Sequence, residues 1–266
     1  QMSERKAILV TGSSHGIGAA TVIAFAKDGY DVGINYNKTP EGAQSVAEEC
    51  RRYGVDAQIY QCDVGRRDQC ERMLNAFINH FGRIDVLVNN AGGALKMPKG
   101  GFVDMPMDYW DEQIALNLNS AAYCSQLAAR CMIEKGIHGS IINISSIHSL
   151  VTWVKRKALP YSAGKAGMNM FTKSIGVELI KYGINVNCIA PGLVYTKIMD
   201  RYSERDIRGF ERKIPAGRGG TVDDIVPMIQ FLADKKKSSF IVGQTIFIDG
   251  GQSIDGVIDC MLEDEI

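Results

Sequence analysis

The sequence predicts an α/β fold, one domain with a seven-stranded, mostly parallel sheet flanked by helices on both faces. Three observations predict it. Short apolar runs alternate with helical patterns along the whole chain, which implies βαβ units with right-handed crossovers. A glycine-rich turn, Thr11-Gly-Ser-Ser-His-Gly-Ile-Gly18, joins the first apolar run to the first helical pattern. No Pro/Ser-rich or low-complexity linker interrupts the 266 residues, so residues 1–266 read as one unit ending in an acidic tail, residues 253–266.

Composition narrows the function. Hydrophobic residues make up 45% and charged residues 23%, enough for a sizeable core. Lys+Arg and Asp+Glu both number 30, so nothing global points to nucleic acid or an anionic membrane surface. The cysteines (Cys50, Cys62, Cys70, Cys124, Cys131, Cys188, Cys260) are scattered without a Cys-x-x-Cys pair. They read as reduced thiols of a cytoplasmic protein, not as a disulfide framework or zinc site. The lead before the first strand lacks a signal-peptide pattern, and Gln1 ahead of Met2 reads as a cloning remnant. No apolar run reaches membrane-spanning length.

The elements follow in order. Lys6 to Val10 is a buried strand, and Ala19 to Asp28 a helix. Between them, glycines allow a tight turn and close approach of backbone to a pyrophosphate. The helix N-terminus offers free N–H groups to its oxygens. Gly12, Ser14, His15, Gly16, Ile17 and Gly18 are therefore candidate cofactor contacts; a plain glycine turn is the alternative. Asp31 to Tyr36 is the second strand. An acidic residue at its end would hold ribose hydroxyls and select NAD. The chain has Asn35-Tyr36-Asn37-Lys38 instead, with no carboxylate to repel a 2′-phosphate and a lysine to pair with one. That favours NADP(H) and leaves NAD(H) open, since His15 is mostly neutral at pH 7 and Lys38 is equally a surface charge.

Glu41 to Tyr53 is helical. Ala57 to Cys62 is the third strand, ending at Asp63-Val64, where a carboxylate can meet an adenine amino group or cap the next helix. Asp68 to Phe81 is an amphipathic helix, and Ile84 to Val88 the fourth strand. Asn89-Asn90-Ala91-Gly92-Gly93 follows, small residues that leave room for a ligand and amides that can pin strands or cofactor. Met107 to Lys135 reads as one long helix. Asn117 within it is a weak helix former that needs a reason to face the core, such as binding a water or distorting the helix; an exposed Asn needs none.

Ser140 to Ile144 is the fifth strand and runs into Ser145-Ser146. From Leu159 to about Tyr182 the pattern is helical, so Tyr161 and Lys165, four residues apart, share one face. A free Tyr has a pKa of about 10, and a neighbouring cation favours the phenolate. Lys165 is therefore expected to pull Tyr161 down toward the working range. With the Ser146 hydroxyl, these groups can move a proton on or off an alcohol oxygen. Asn185 to Ile189 is the sixth strand. Pro191, Gly192, Val194 and Thr196 beyond it are candidate cofactor contacts, Thr196 to a carboxamide. Lys197 to Lys213 reads as a charged helical segment, a lid or an ordinary surface helix. Thr221 caps a last helix to Ala233, Lys235-Lys-Lys237 is a solvated turn, and Gln244 to Ile248 is the seventh strand.

Taken together, Thr11-Gly12-x-x-x-Gly16-Ile-Gly18, Asp63, Asn89-Asn-Ala-Gly92, Asn117, Ser146, Tyr161-x-x-x-Lys165, Pro191-Gly192 and Thr196 resemble the classical short-chain dehydrogenase/reductases over nearly the full length. The resemblance implies a single Rossmann domain, a homotetramer, and hydride transfer between a nicotinamide and a small-molecule carbonyl or secondary alcohol. It makes Tyr161 the general acid in reduction. Lys165 holds the nicotinamide ribose, Ser146 orients the substrate oxygen, and Asn117 positions a water in the proton relay. Two features depart from the pattern: His15 replaces a basic residue common in NADP-preferring members, and the stretch between Ser146 and Tyr161 carries an insertion with Trp153 and Lys155-Arg156-Lys157. The Ile147-His148 and Ala190-Pro-Gly regions are similar to sugar and polyol dehydrogenases of the glucose 1-dehydrogenase kind. A 3-oxoacyl-carrier-protein reductase, a hydroxysteroid dehydrogenase and a non-catalytic dinucleotide sensor are the alternatives.

Overall fold

The structure, a computed structural model, describes residues 5–95, 101–152, 159–196 and 202–254. Seven strands form one sheet: β1 (Ala7–Val10), β2 (Asp31–Tyr36), β3 (Ala57–Gln61), β4 (Val86–Asn89), β5 (Ser140–Ile144), β6 (Asn185–Pro191) and β7 (Thr245–Ile248). Their order is β3-β2-β1-β4-β5-β6-β7. Every pairing is parallel, including β6 with β7, so the expected "mostly parallel" sheet is wholly so. The helices are α1 (Gly16–Lys27), α2 (Pro40–Arg51), α3 (Arg67–Phe81), α4 (Met107–Ile114), α5 (Ser120–Glu134), α6 (Leu159–Leu179), α7 (Glu204–Glu211), α8 (Val222–Ala233) and α9 (Lys235–Ser238).

Strand alternation builds two cores. In β1, Ile8 and Val10 face one side with Val22 and Phe25 of α1, Val46 of α2 and Ile229 of α8. Ala7 and Leu9 face the other, with Leu74 and Phe77 of α3, Met132 of α5 and Leu179 of α6. Because both faces are covered, the central strands read as continuous apolar runs rather than as alternating ones. Each fully buried Leu, Ile or Phe contributes about 1.5–3 kcal/mol, and the two layers together fix the sheet between them.

Three elements differ from expectation. The Met107–Lys135 helix is broken by a π-helical turn over Ala115–Asn119, with Asn117 buried at its centre. The charged segment after Thr196 is helical only over Glu204–Glu211, and residues 197–201 lie outside the described ones. Lys235–Ser238 forms a short helix, and Lys235 Nζ turns inward to the Gly183 carbonyl and the Asn185 side chain. Trp153, Lys155-Arg156-Lys157 and residues 255–266 of the acidic tail also lie outside the described residues.

Candidate active site

The strand order reverses between β1 and β4, and the crevice outside their carboxyl ends is where such sheets take ligands. The glycine-rich loop forms one wall. Gly12 has φ +61° and lies so close to Ala91 that an added Cβ would stand 2.8 Å from its Cα. A Cβ on Gly18 would strike the Gly12 carbonyl at 2.5 Å, so α1 begins tight against the loop. Asn90 Nδ2 donates to the Thr11 and Gly12 carbonyls, and the Asn90 and Ala91 amides donate to Thr11 Oγ1. These contacts pin the ends of β1 and β4 together. Thr196 stands opposite, with its Cγ2 3.5 Å from where a Gly16 Cβ would sit. The loop, the α1 N-terminus and Thr196 thus enclose a narrow cradle lined by backbone, and such a cradle fits a pyrophosphate.

The expected adenosine end is reassigned in part. Asn35 is buried, and its side chain does not face the cleft. Its Oδ1 accepts from the Gly12 amide at 2.8 Å, while Nδ2 donates to the Tyr36, Tyr60 and Cys62 carbonyls. The Asn35 amide is spent holding the loop, so a cofactor contact from this position would fall to its neighbours Tyr36 to Lys38. Tyr36 is half-buried, and Asn37 and Lys38 are exposed at the end of β2. A Gly42 Cβ would meet the Ser14 carbonyl at 2.6 Å, so α2 packs directly on the loop that carries Ser14 and His15. Ser14 Oγ and His15 Nδ1 lie 3.0 Å apart. Asp63 Oδ1 accepts from the Gly65 amide, a local turn, and the cap of α3 is Arg66 rather than Asp63. Val64 is buried in the α3 core. Ile17 packs against the core on the α1 side. Pro191 ends β6, Gly192 donates to the Ile248 carbonyl, and Val194 bridges to Gly220.

Helix α6 delivers the reactive side chains to the end of β5 through four ties. Asn143 Nδ2 donates to Thr172 Oγ1 and Ser145 Oγ to the Lys165 carbonyl. Lys165 Nζ donates to the Ile144 carbonyl at 2.7 Å, and Asn169 Nδ2 donates to Ser149 Oγ. Ser146 follows β5 in extended backbone, and its Oγ accepts from the His148 amide and hydrogen-bonds Tyr161. The His148 ring packs edge-on against Tyr161, centroids 5.7 Å apart. Lys165 Nζ stands 5.9 Å from the Tyr161 ring centroid, so the two do share one space. The Gly92 site closes the group: a Cβ there would lie 2.9 Å from both Asn117 Oδ1 and Lys165 Nζ. Ser146, Tyr161, Lys165 and Asn117 therefore gather at one point beside the cradle.

The electrostatics correct one expectation. Burial raises the Tyr161 phenol above its ordinary value, and the Ser146 hydrogen bond pulls it part of the way back. Lys165 does not lower it here, because its ammonium is turned to the Ile144 carbonyl. Burial pushes Lys165 itself down to about 8, opposed by its proximity to Cys188. Asn117 is engaged within the protein: Oδ1 accepts from the Gly93 amide, and Nδ2 donates to the Gly93 carbonyl and to Gln113. Its burial rules out the exposed alternative.

Strand pinning by the amides after β4 is among the expectations, and Asn89 does it; sequence reasoning missed its partners, Asn143 and Ser125, in a buried amide brace under the site. Asn89 and Asn143 are register partners on β4 and β5, and Asn89 Nδ2 donates to Asn143 Oδ1 and Ser125 Oγ. A polar residue at the same level of two adjacent apolar strands is the signal that would have found it.

A family model described as enoyl-(acyl carrier protein) reductase matches residues 12–253. The chain is 36% identical over 250 residues to 3-oxoacyl-[acyl-carrier-protein] reductase FabG of Staphylococcus aureus, covering 94% of this chain and 99% of the relative. Its fold superposes with TM-score 0.84 on acetoin dehydrogenase YohF from Salmonella typhimurium, at 34% identity over 95% of this chain and 99% of the other. Actinorhodin polyketide ketoreductase, solved with NADPH, superposes with TM-score 0.84 at 28% identity over 94% and 98%. The crevice, the cradle and the gathered Ser146, Tyr161 and Lys165 thus sit in a chain with full-length kin of one kind: it belongs to the short-chain dehydrogenase/reductase family and is a NAD(P)-dependent oxidoreductase of alcohol and carbonyl groups.

Proposed function

We propose that the chain is an NADP(H)-preferring reductase and dehydrogenase of small, polyoxygenated substrates, a sugar, polyol or vicinal hydroxyketone. The observation that carries the chemistry is the convergence of Ser146, Tyr161 and Lys165 beside Gly92. In reduction, the Ser146 and Tyr161 hydroxyls meet the carbonyl oxygen and stabilise the charge that develops on it. Tyr161 then gives its phenolic proton to that oxygen; a nicotinamide held in the cradle would supply the hydride that the carbon takes up. Lys165 replenishes the proton at the phenol, and its ammonium holds the nicotinamide ribose. Asn117, with its amide engaged by Gly93 and Gln113, serves the relay through a water held at its main chain.

Small substrates are favoured by the likeness to acetoin dehydrogenase, whose named substrate class carries oxygen on adjacent carbons. NADP(H) is favoured by the absence of a carboxylate over Tyr36 to Lys38 and by the exposed Lys38 there, while His15, standing where a fixed positive charge would help more, leaves NAD(H) open. The 3-oxoacyl-carrier-protein reductase reading is kept as second because the Staphylococcus relative matches end to end. The protein works in the cytoplasm as a homotetramer.

The test follows NADPH absorbance with glucose, acetoin and an acetoacetyl thioester. Turnover of glucose or acetoin above the thioester is expected; the reverse order replaces the first reading by the second. Tyr161→Phe should lower turnover by about 10³-fold while leaving NADPH binding, read by fluorescence, within a few-fold. No turnover with any substrate would leave a dinucleotide sensor.

A further inference from the structure

A cavity of about 660 Å³ lies at the opposite end of the sheet, at the amino ends of β1, β4 and β5. That volume is within the range of small-molecule sites, roughly 300–1,000 Å³. Its charge is unlike that of the whole chain, which is neutral. The lining carries Lys6, Arg83, Lys135 and Lys235 against a single carboxylate, Asp85. Asp85 is already engaged: Arg83 grips both its oxygens, at 2.8 and 2.7 Å, and the Ala7 amide donates to Oδ2. Arg83 is thus balanced; Lys235 is held by the Gly183 carbonyl and the Asn185 side chain, Lys6 lies 5.8 Å from the Tyr30 ring centroid, and the charges of the three lysines are not balanced by a carboxylate. Among the described residues, no carboxylate lies within ion-pair distance of Lys6, Lys135 or Lys235. Asp28 and Asp234, whose charges reach the cavity-lining Tyr30, are engaged by Gln230 and Lys237.

A second observation comes from Ser140, another lining residue. It is 1% exposed and its hydroxyl has no hydrogen-bond partner in the protein. A buried hydroxyl without a partner costs stability, on the scale of a lost hydrogen bond, unless a bound molecule or water meets it. Val86, Ile137 and the Tyr30 ring supply apolar wall between the cations. Ammonium groups without a carboxylate partner, a hydroxyl unmet within the protein and apolar surface together describe a recognition site for an anion on a carbon frame.

We propose that this cavity is a binding site for a small organic anion bearing two or more negative charges, as phosphate or carboxylate, distinct from the cofactor crevice at the other end of the same strands.

The probes are citrate, glucose 6-phosphate and, as the neutral control, triethyl citrate, which carries no charge and no oxidisable alcohol. They are titrated by calorimetry and thermal unfolding into the full chain saturated with NADPH, so that the cofactor crevice is filled. Citrate, glucose 6-phosphate or both should bind with a millimolar or lower Kd and raise Tm by ~3 °C at tenfold excess over Kd, while triethyl citrate does neither. Binding of one anion alone supports the site and names its group as carboxylate or phosphate. The Lys6→Gln/Lys135→Gln double variant should weaken binding at least tenfold with NADPH affinity unchanged, and Ser140→Ala should weaken it with the unliganded Tm no lower. Absence of binding by both anions overturns the proposal, as does binding indifferent to the double variant or lost on NADPH saturation.

Discussion

Two residues set the pH behaviour, and the sign follows from burial. The Tyr161 phenol is raised, so it stays protonated, as reduction requires, through the neutral range. Lys165 is lowered to about 8, so it carries its charge below that value and loses it as pH rises past it. Reduction needs both the phenol proton and the ammonium. Its kcat/KM should therefore be level from about pH 6 to 7 and fall through a single descending limb near 8. A limb near 10 or above, measured in initial-rate profiles, would mean that Lys165 keeps an ordinary lysine's affinity for its proton. Cofactor choice is also decided residue by residue. Lys38→Glu reverses a charge at the exposed end of β2, where each exposed ion pair is worth at most about 1 kcal/mol. The ratio of kcat/KM for NADPH over NADH should drop by about tenfold, and an unchanged ratio would move the preference to Ser14 and His15. Adjacent Asn35 shows what a sequence hides at this scale: its position at a strand end suggested a ligand, but partners 23 to 27 residues away claim its amide.

At the scale of elements, the site depends on how α6 is fastened to β5. Asn143 is the joint: it accepts from Asn89 on β4 and donates to Thr172 on α6, wholly buried. Asn143→Ala leaves Asn89 Nδ2 and Thr172 Oγ1 each short of a partner and opens a small cavity. The cost should be about 3 kcal/mol, seen as a Tm lower by roughly 6–10 °C. Because Lys165 and Tyr161 ride on the same helix, kcat should fall as well, by more than KM rises. A stability loss with unaltered kcat would show that the Ser145, Lys165 and Asn169 ties suffice to hold α6. The π turn at Ala115–Asn119 follows the same logic. Gly164 packs against the Asn117 Cβ, where its own Cβ would come within 3.1 Å, so the distorted turn and the small residue are matched. The sequence marks Asn117 as awkward within a long helical pattern. Distortion of the helix is one of the readings the sequence allows there; its π form and its extent are not legible, because they are set by packing between helices far apart in the chain.

For the molecule as a whole, the α/β alternation and the placement of motifs at strand ends were readable because each is local: a strand, a glycine turn and a helix start lie within about twenty residues of one another. The directions of proton affinities and the inward turn of Lys235 were not, since both depend on burial that only the assembled layers create. The proposed assembly beyond one chain has a candidate contact in a face left uncovered. On α6, Met170 and Val177 are 61% and 75% exposed. They lie two helical turns apart on one face, and the 3-10 turn that follows α6 adds Ile180 and Tyr182 as exposed side chains. Opposite faces of α6 thus do different work, one delivering Tyr161 and Lys165 and the other offering apolar surface that a single copy leaves in water. A second copy packed there by a two-fold axis would cover it, since the same patch serves both partners. Light scattering coupled to size exclusion should give four times the 29.1 kDa chain mass for the wild type. The Met170→Asp/Val177→Asp variant should run at half that or less, because two carboxylates per chain would be buried without partners. A wild-type mass of one chain, or a variant still tetrameric, would place the contact elsewhere and leave the α6 face as ordinary surface.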